Sequence, residues 1–192
     1  ELGEVPFKRY YGSIDATPLF FVLAGAYYTR TADLEFIRNI WPNIELALTW
    51  IKKYGDVDGD NFVEYARKEV SGLFNQGWKD SHDSVFHSDG SLAQTPIALC
   101  EVQGYVYDAW LKASMLAYVL GYMKESGEYL KQAEDLKSNF REKYWSEEKS
   151  IFSLALAADK KECNVITSNA GHCLFSMIAT PDQAKKIAVT LL

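Results

Sequence analysis

The sequence predicts an all-α fold of the α/α toroid type, and three observations predict it. Three segments are apolar almost all round, around Leu19 to Tyr28, Ile97 to Met123 and Ser168 to Ala179. Each is followed by a segment with one apolar stripe, after Asp33, Ser126 and Thr180. Short turn-rich stretches with fragments of strand character separate the pairs. A helix without a polar face is buried on both sides, whereas a striped one faces solvent. Three such pairs make three helical hairpins in two layers, which is part of a ring. No sequence period repeats, so the architecture recurs without a motif.

Taken in order, residues 1–13 read as an entry loop. Asp15-Ala16-Thr17-Pro18 opens the first helix, to about Arg30. Pro18 suits a first turn, where its missing N–H costs nothing. Asp33 is a plausible N-cap for the second helix. Leu34, Ile37, Trp41, Ile44, Leu48 and Ile51 form its stripe, with Glu35, Arg38, Asn39 and Glu45 opposite and Gly55 as the stop.

Asp56-Val57-Asp58-Gly59-Asp60 resembles a calcium loop. Its sixth position is Asn61 rather than Gly, however, and its twelfth is Arg67 rather than Glu. The expectation is an Asp/Gly turn with no metal, leading into a strand over Asn61–Tyr65. The third helix, about Ile97 to Met123, carries only Asp108 and Lys112 as charges between Val102 and Met123. Ser126 is expected to cap the fourth, with Leu130, Ala133, Leu136 and Phe140 inward. Ile151–Ala157 reads as one strand. Ser168-Asn169 opens a fifth helix to about Ala179. Thr180-Pro181 caps a sixth, with Ile187 and Leu191 inward.

The stretch with the most chemistry is Asn75-Gln76-Gly77-Trp78-Lys79-Asp80-Ser81, between turn signals. Two readings fit it. In one it packs a core with Trp78 and caps a helix with Asp80. In the other, Trp78 offers a flat face to a sugar, and Asp80 is a carboxyl shielded beside it with a raised pKa. Asp83 is the rival acid, on the same face as Asp80 if the segment turns helically.

The chain has 192 residues and a net charge of −6, with no Lys/Arg run, which argues against nucleic acid as a partner. No apolar run is long enough to span a bilayer, so no membrane partner is expected. Three cysteines in no metal spacing read as reduced thiols and a cytoplasmic setting. Aromatic residues reach 14%, an excess compatible with a carbohydrate cleft or with a filled core.

With these residues in view, the chain resembles the glycogen-debranching amylo-α-1,6-glucosidase family, relatives of the glucoamylases and trehalases. The resemblance lies in Asn75–Ser81, in Pro96-Ile97-Ala98-Leu99-Cys100-Glu101-Val102-Gln103-Gly104-Tyr105, and in Tyr11–Pro18. The Asp58–Tyr65 loop and Ser168-Asn169-Ala170-Gly171-His172 extend it, in the family's order.

The resemblance implies an (α/α)6 barrel and inverting hydrolysis of α-glucosidic bonds, with an α-glucan or oligosaccharide as substrate and no cofactor. It implies Asp80 as general acid, flanked by Lys79, and Trp78 as a ring face. Asp15, Glu64 and Glu101 would bind hydroxyls, and Gln103 and His172 would stand with the substrate-binding residues. Bottom-up, Glu101 is equally an acid favoured in a first helical turn, and His172 equally a packed histidine. The family's base-bearing segment is not found here. The expectation is therefore that residues 1–192 are part of one catalytic domain, about half of the barrel. It is truncated at its C-terminus, starts without a clear first element, and leaves an apolar edge for the rest of the barrel or for self-association. A non-catalytic carbohydrate-binding helical module, or a calcium-stabilised interaction domain, are the alternatives.

Overall fold

A computed structural model describes residues 13–67 and 72–192. The entry loop expected before Ser13, including Tyr11 and Gly12, lies outside them. Six helices run as α1 (Ala16–Thr31), α2 (Leu34–Trp50), α3 (Cys100–Leu120), α4 (Met123–Tyr144), α5 (Asn169–Phe175) and α6 (Pro181–Leu191). They pair as hairpins α1/α2, α3/α4 and α5/α6, and α3 packs between α1 and α5. That is an inner row of α1, α3 and α5 with partners outside, a partial α/α toroid.

Side-chain caps start two of the helices. The Asp33 carboxylate accepts from Phe36 N at 2.9 Å and caps α2. The α2 stripe is buried at Ile37, Trp41, Ile44 and Leu48, and the helix ends in a π-helical turn, Ile51–Gly55. Thr180 and Gln183 form a reciprocal capping box at α6. From Cys100 to Trp110, α3 is buried on every side. Gly25 lets α1 approach it closely, since a Cβ there would lie 2.6 Å from the Lys112 side chain.

Several expectations change. Helix α1 is buried on one face only, through Pro18, Phe21, Ala24 and Gly25, while Leu23 stays 69% exposed. Among the described residues it packs on α2 and α3 and has no further helix on its outer flank. Helix α4 begins at Met123 rather than Ser126, because left-handed Gly121 ends α3 and returns the chain directly into a helix. Its buried stripe is Tyr129, Ala133, Leu136, Phe140 and Tyr144, which leaves Leu130 exposed. Ser126 instead meets Ser114, whose Oγ donates to its carbonyl at 2.8 Å.

The expected strand Asn61–Tyr65 is absent. Asn61 is left-handed at φ 71°, and only Tyr65 bridges another segment, at Ile97. The expected strand Ile151–Ala157 divides between two small sheets. There β1 (Ala98–Leu99) pairs with β4 (Ala155–Leu156), and β2 (Trp145–Ser146) with β3 (Ile151–Phe152). Helix α5 stops at Phe175, with Met177 left-handed just beyond. On α6 only Ile187 is buried, and Leu191 is partly exposed rather than inward.

Candidate active site

The N-terminal ends of α1, α3 and α5 come together under the 75–84 loop. The loop is built rather than slack. Asn75, fully buried, accepts from Tyr65 Oη at 2.8 Å and donates to the carbonyls of Ser81 at 2.7 Å and His82 at 3.2 Å. Ser84 Oγ donates to the Lys79 carbonyl at 2.8 Å, and Ile14 N to the Gln76 carbonyl at 2.9 Å. A Cβ on Gly77 would sit 2.5 Å from Leu99 Cδ1 and 3.9 Å from Glu101 Oε1, so the Leu99 side chain would have to give way. The loop is therefore pressed against the start of α3.

Trp78 is 51% exposed, which removes the core-plug reading. Its ring lies 5.7 Å from that of His172, and Lys79 Nζ lies 5.1 Å from its centroid. Lys79 Nζ donates to Ser168 Oγ at 2.9 Å and to Asn169 Oδ1 at 2.6 Å. Asp80 is exposed, caps no helix, and makes no hydrogen bond or ion pair among the described residues. The shielding expected from Trp78 is thus not in place. The segment 80–83 is not helical, so Asp80 and Asp83 do not share a helical face.

Glu101 is buried in the first turn of α3. Its Oε1 accepts from Asn169 Nδ2 at 2.7 Å, and Cys100 Sγ lies 3.6 Å from Oε2. Burial pushes this carboxyl up to about 6, against hydrogen bonds that favour the charged form. His172 is packed and also lines the cleft. Its Nδ1 lies 2.6 Å from Tyr105 Oη. Burial, and then the Lys79 charge, lower its pKa and favour the neutral imidazole. Burial raises the Tyr105 phenol well above its usual range, with the Glu101 and Asp15 carboxylates adding to it. Asp15, half-buried at the start of α1, accepts from Ser13 Oγ at 2.5 Å.

Two expected site residues stand apart. Gln103 is a fastener: its Oε1 accepts from Val63 N at 2.9 Å, and its Nε2 donates to Val63 O at 2.7 Å and Leu99 O at 3.0 Å. It is fully buried and has no donor left for a sugar. Glu64 turns to Lys160 instead of Glu101. Lys160 Nζ lies 2.5 Å from Asp58, 2.6 Å from Asp60 and 3.2 Å from Glu64. Oxygens of Asp56, Asp58 and Glu64 lie within 4.8 Å of one another, a spacing suited to a cation. The Lys160 ammonium, however, already sits against Asp58 and Glu64. The Asp56 oxygens accept from Gly59 N at 2.7 Å and Asn61 N at 3.0 Å. Burial raises the Glu64 pKa, and Lys160 opposes that shift.

Asn75, Tyr105 and Asn169 were not singled out as site residues from the sequence, although each lies inside a stretch that was. A cavity of about 290 Å³ lies elsewhere, lined by Lys52, Asp56, Trp110 and Gln132.

Paired helices in two layers, with an aromatic face and carboxyls gathered at the inner helix ends, define a six-hairpin glycosidase domain. The chain belongs to the bacterial alpha-L-rhamnosidase six-hairpin glycosidase domain family, whose profile matches residues 6–192. None of the curated proteins matches it. Among solved structures, it is similar to a GH78 family rhamnosidase of Bacillus sp. GL1, at 18% identity and a TM-score of 0.67 over 93% of this chain. A rhamnosidase from Klebsiella oxytoca with rhamnose bound is similar at 17% identity and a TM-score of 0.60, again over 93% of this chain. At these identities the likeness shows the fold. The chain spans 17% and 30% of the length of those two proteins.

Proposed function

We propose that this chain is the acid-bearing part of an inverting glycoside hydrolase acting on an α-linked 6-deoxyhexoside of the rhamnoside class. The observation that carries the reading is that exposed Trp78 and Asp80 stand on a loop packed against the inner helix ends that bear half-buried Asp15 and buried Glu101. The family supports glycoside hydrolysis, and its rhamnosidase members support the sugar. An inverting enzyme needs one carboxyl to protonate the departing oxygen and a second to activate water on the opposite face. Asp80 takes the first role. The base belongs to the length of the relatives that this chain does not span. Trp78 offers an apolar ring face, and the exposed methyl of a deoxy sugar suits such a surface. Asp15 and Glu101 accept from sugar hydroxyls, and neutral His172, held by Tyr105, braces the Trp78 ring. The cytoplasmic setting read from the cysteines belongs with this proposal; all three are free and buried.

A second substrate reading, an α-1,6-linked glucan, rests on the Asn75–Ser81 and Pro96–Tyr105 blocks. The test is to offer the full-length protein an aryl α-L-rhamnoside, a rhamnosyl disaccharide and an α-1,6-linked glucan stub. Turnover of both rhamnosides with little of the glucan is expected. The reverse preference would establish the glucan reading. Binding of sugar with turnover of none would make this a binding module.

A further inference from the structure

Glu101 and Lys79 are opposite charges on either side of one side chain, and they do not touch. Asn169, 1% exposed at the start of α5, stands between them. Its Oδ1 accepts from Lys79 Nζ at 2.6 Å, and its Nδ2 donates to Glu101 Oε1 at 2.7 Å. An amide has one accepting end and one donating end. Turned over, it would set NH₂ against an ammonium and a carbonyl oxygen against a carboxylate, so its two charged neighbours fix its orientation. A carboxylate here would pair with Lys79 and repel Glu101, and an apolar residue would leave both without a partner.

We propose that Asn169 is a positioning residue, an oriented amide spacer that keeps the Lys79 ammonium off Glu101 and holds each in its own place in the cleft. Without the spacer, a flexible lysine and a buried carboxylate in the same cleft close into a direct ion pair. With the amide gone, the ammonium and the carboxylate each lose a partner, and a charge-assisted bond between them is the strong contact that replaces it. The pairing takes Lys79 from Trp78 and Ser168, and it ties up the Glu101 carboxylate. The spacer therefore leaves Glu101 able to exchange a proton near neutral pH. Of the other titratable groups, Tyr65, Tyr105 and Cys100 face Glu101, and Asp15, His172 and Cys173 lie next to those. Of the described groups facing it, Lys79 is the cation that acts on its titration.

The meaning for catalysis rests on the glycosidase reading, but the test does not. The Glu101 carboxyl is followed by ¹³C NMR in the full chain with labelled glutamate, assigned by its loss in Glu101→Gln. Asn169→Ala is expected to lower its titration midpoint by about one pH unit or more, the usual effect of an opposite charge at contact. Adding Lys79→Met to that variant should bring the midpoint back to the wild-type value or above it. A midpoint that stays or rises in Asn169→Ala refutes the spacer, because removing a merely structural amide loses a hydrogen bond and admits no cation. If Asn169→Ala does not fold, Lys79→Met alone decides. A rise below about half a unit agrees with an ammonium held away. A rise of a full unit or more shows that it already acts directly on Glu101 and overturns the proposal. Loss of the glycosidase reading would leave these titrations unchanged.

Discussion

Replacing Gln103 tests whether this buried amide serves the sugar or the fold. In Gln103→Ala, Val63 N and Val63 O lose the partners they have at 2.9 and 2.7 Å. Leu99 O, which accepts at 3.0 Å, heads α3 and keeps its place in the helical ladder. Two buried backbone groups left unpaired cost about 1–3 kcal/mol each. The expected loss is therefore about 2–6 kcal/mol, before any cavity left by a fully buried side chain. Urea unfolding followed by fluorescence measures it as a lower midpoint with an unchanged slope.

Gln103→Glu refines the test. Protonated, it can donate to Val63 O; ionised, it faces two carbonyl oxygens. Its pKa in the fold should thus be raised above the value near 4.3 of an unfolded chain. Relative to wild type, the variant should be least affected below pH 4.3 and should lose stability as pH rises through the raised value. A Gln103→Ala protein with the wild-type urea midpoint but no sugar binding would refute the argument and return Gln103 to the substrate.

Asp80→Asn should lower turnover by about 10²–10⁴ on a rhamnosyl disaccharide and by less on an aryl rhamnoside, with binding nearly intact; equal small losses on both would pass the acid role to another carboxyl. Glu101→Gln removes a buried carboxyl displaced from 4.5 to about 6. The stability of the wild type relative to the variant should therefore be greatest below pH 4.5 and fall by up to about 2 kcal/mol as pH rises through 6, read from melts across that range. Lys160→Met should cost about 1–3 kcal/mol, less than a fully buried pair because the lysine and both aspartates are about a third exposed. Calcium should leave the wild-type melting temperature unchanged, and a clear rise abolished by Asp58→Ala would show that metal displaces the lysine. Leu23→Lys should reduce self-association in sedimentation velocity, since Leu23 lies 69% exposed on α1; unchanged association would place the contact elsewhere.

Much of this molecule was legible in order along the chain. The alternation of all-round and striped apolar segments is a local property, so the three hairpins and the inner row could be read from it. The caps Asp33 and Thr180 are local too, because a cap bonds to a backbone only three residues away. The cluster of Trp78, Lys79 and Asp80 was visible as composition.

What each side chain does there was decided by partners far off in the chain. Gln103 fastens Val63 across 40 positions, Lys79 reaches Asn169 across 90, and Lys160 reaches Glu64 across 96. A residue's type states what it can donate or accept, whereas packing states which partner is within reach. The start of α4 and the exposed flank of α1 follow the same rule, since a turn and a neighbouring helix, rather than the local pattern, set them. The acidic loop shows the difference most directly. Its spacing is that of a cation site, and only the fold brings a lysine into the cation's place.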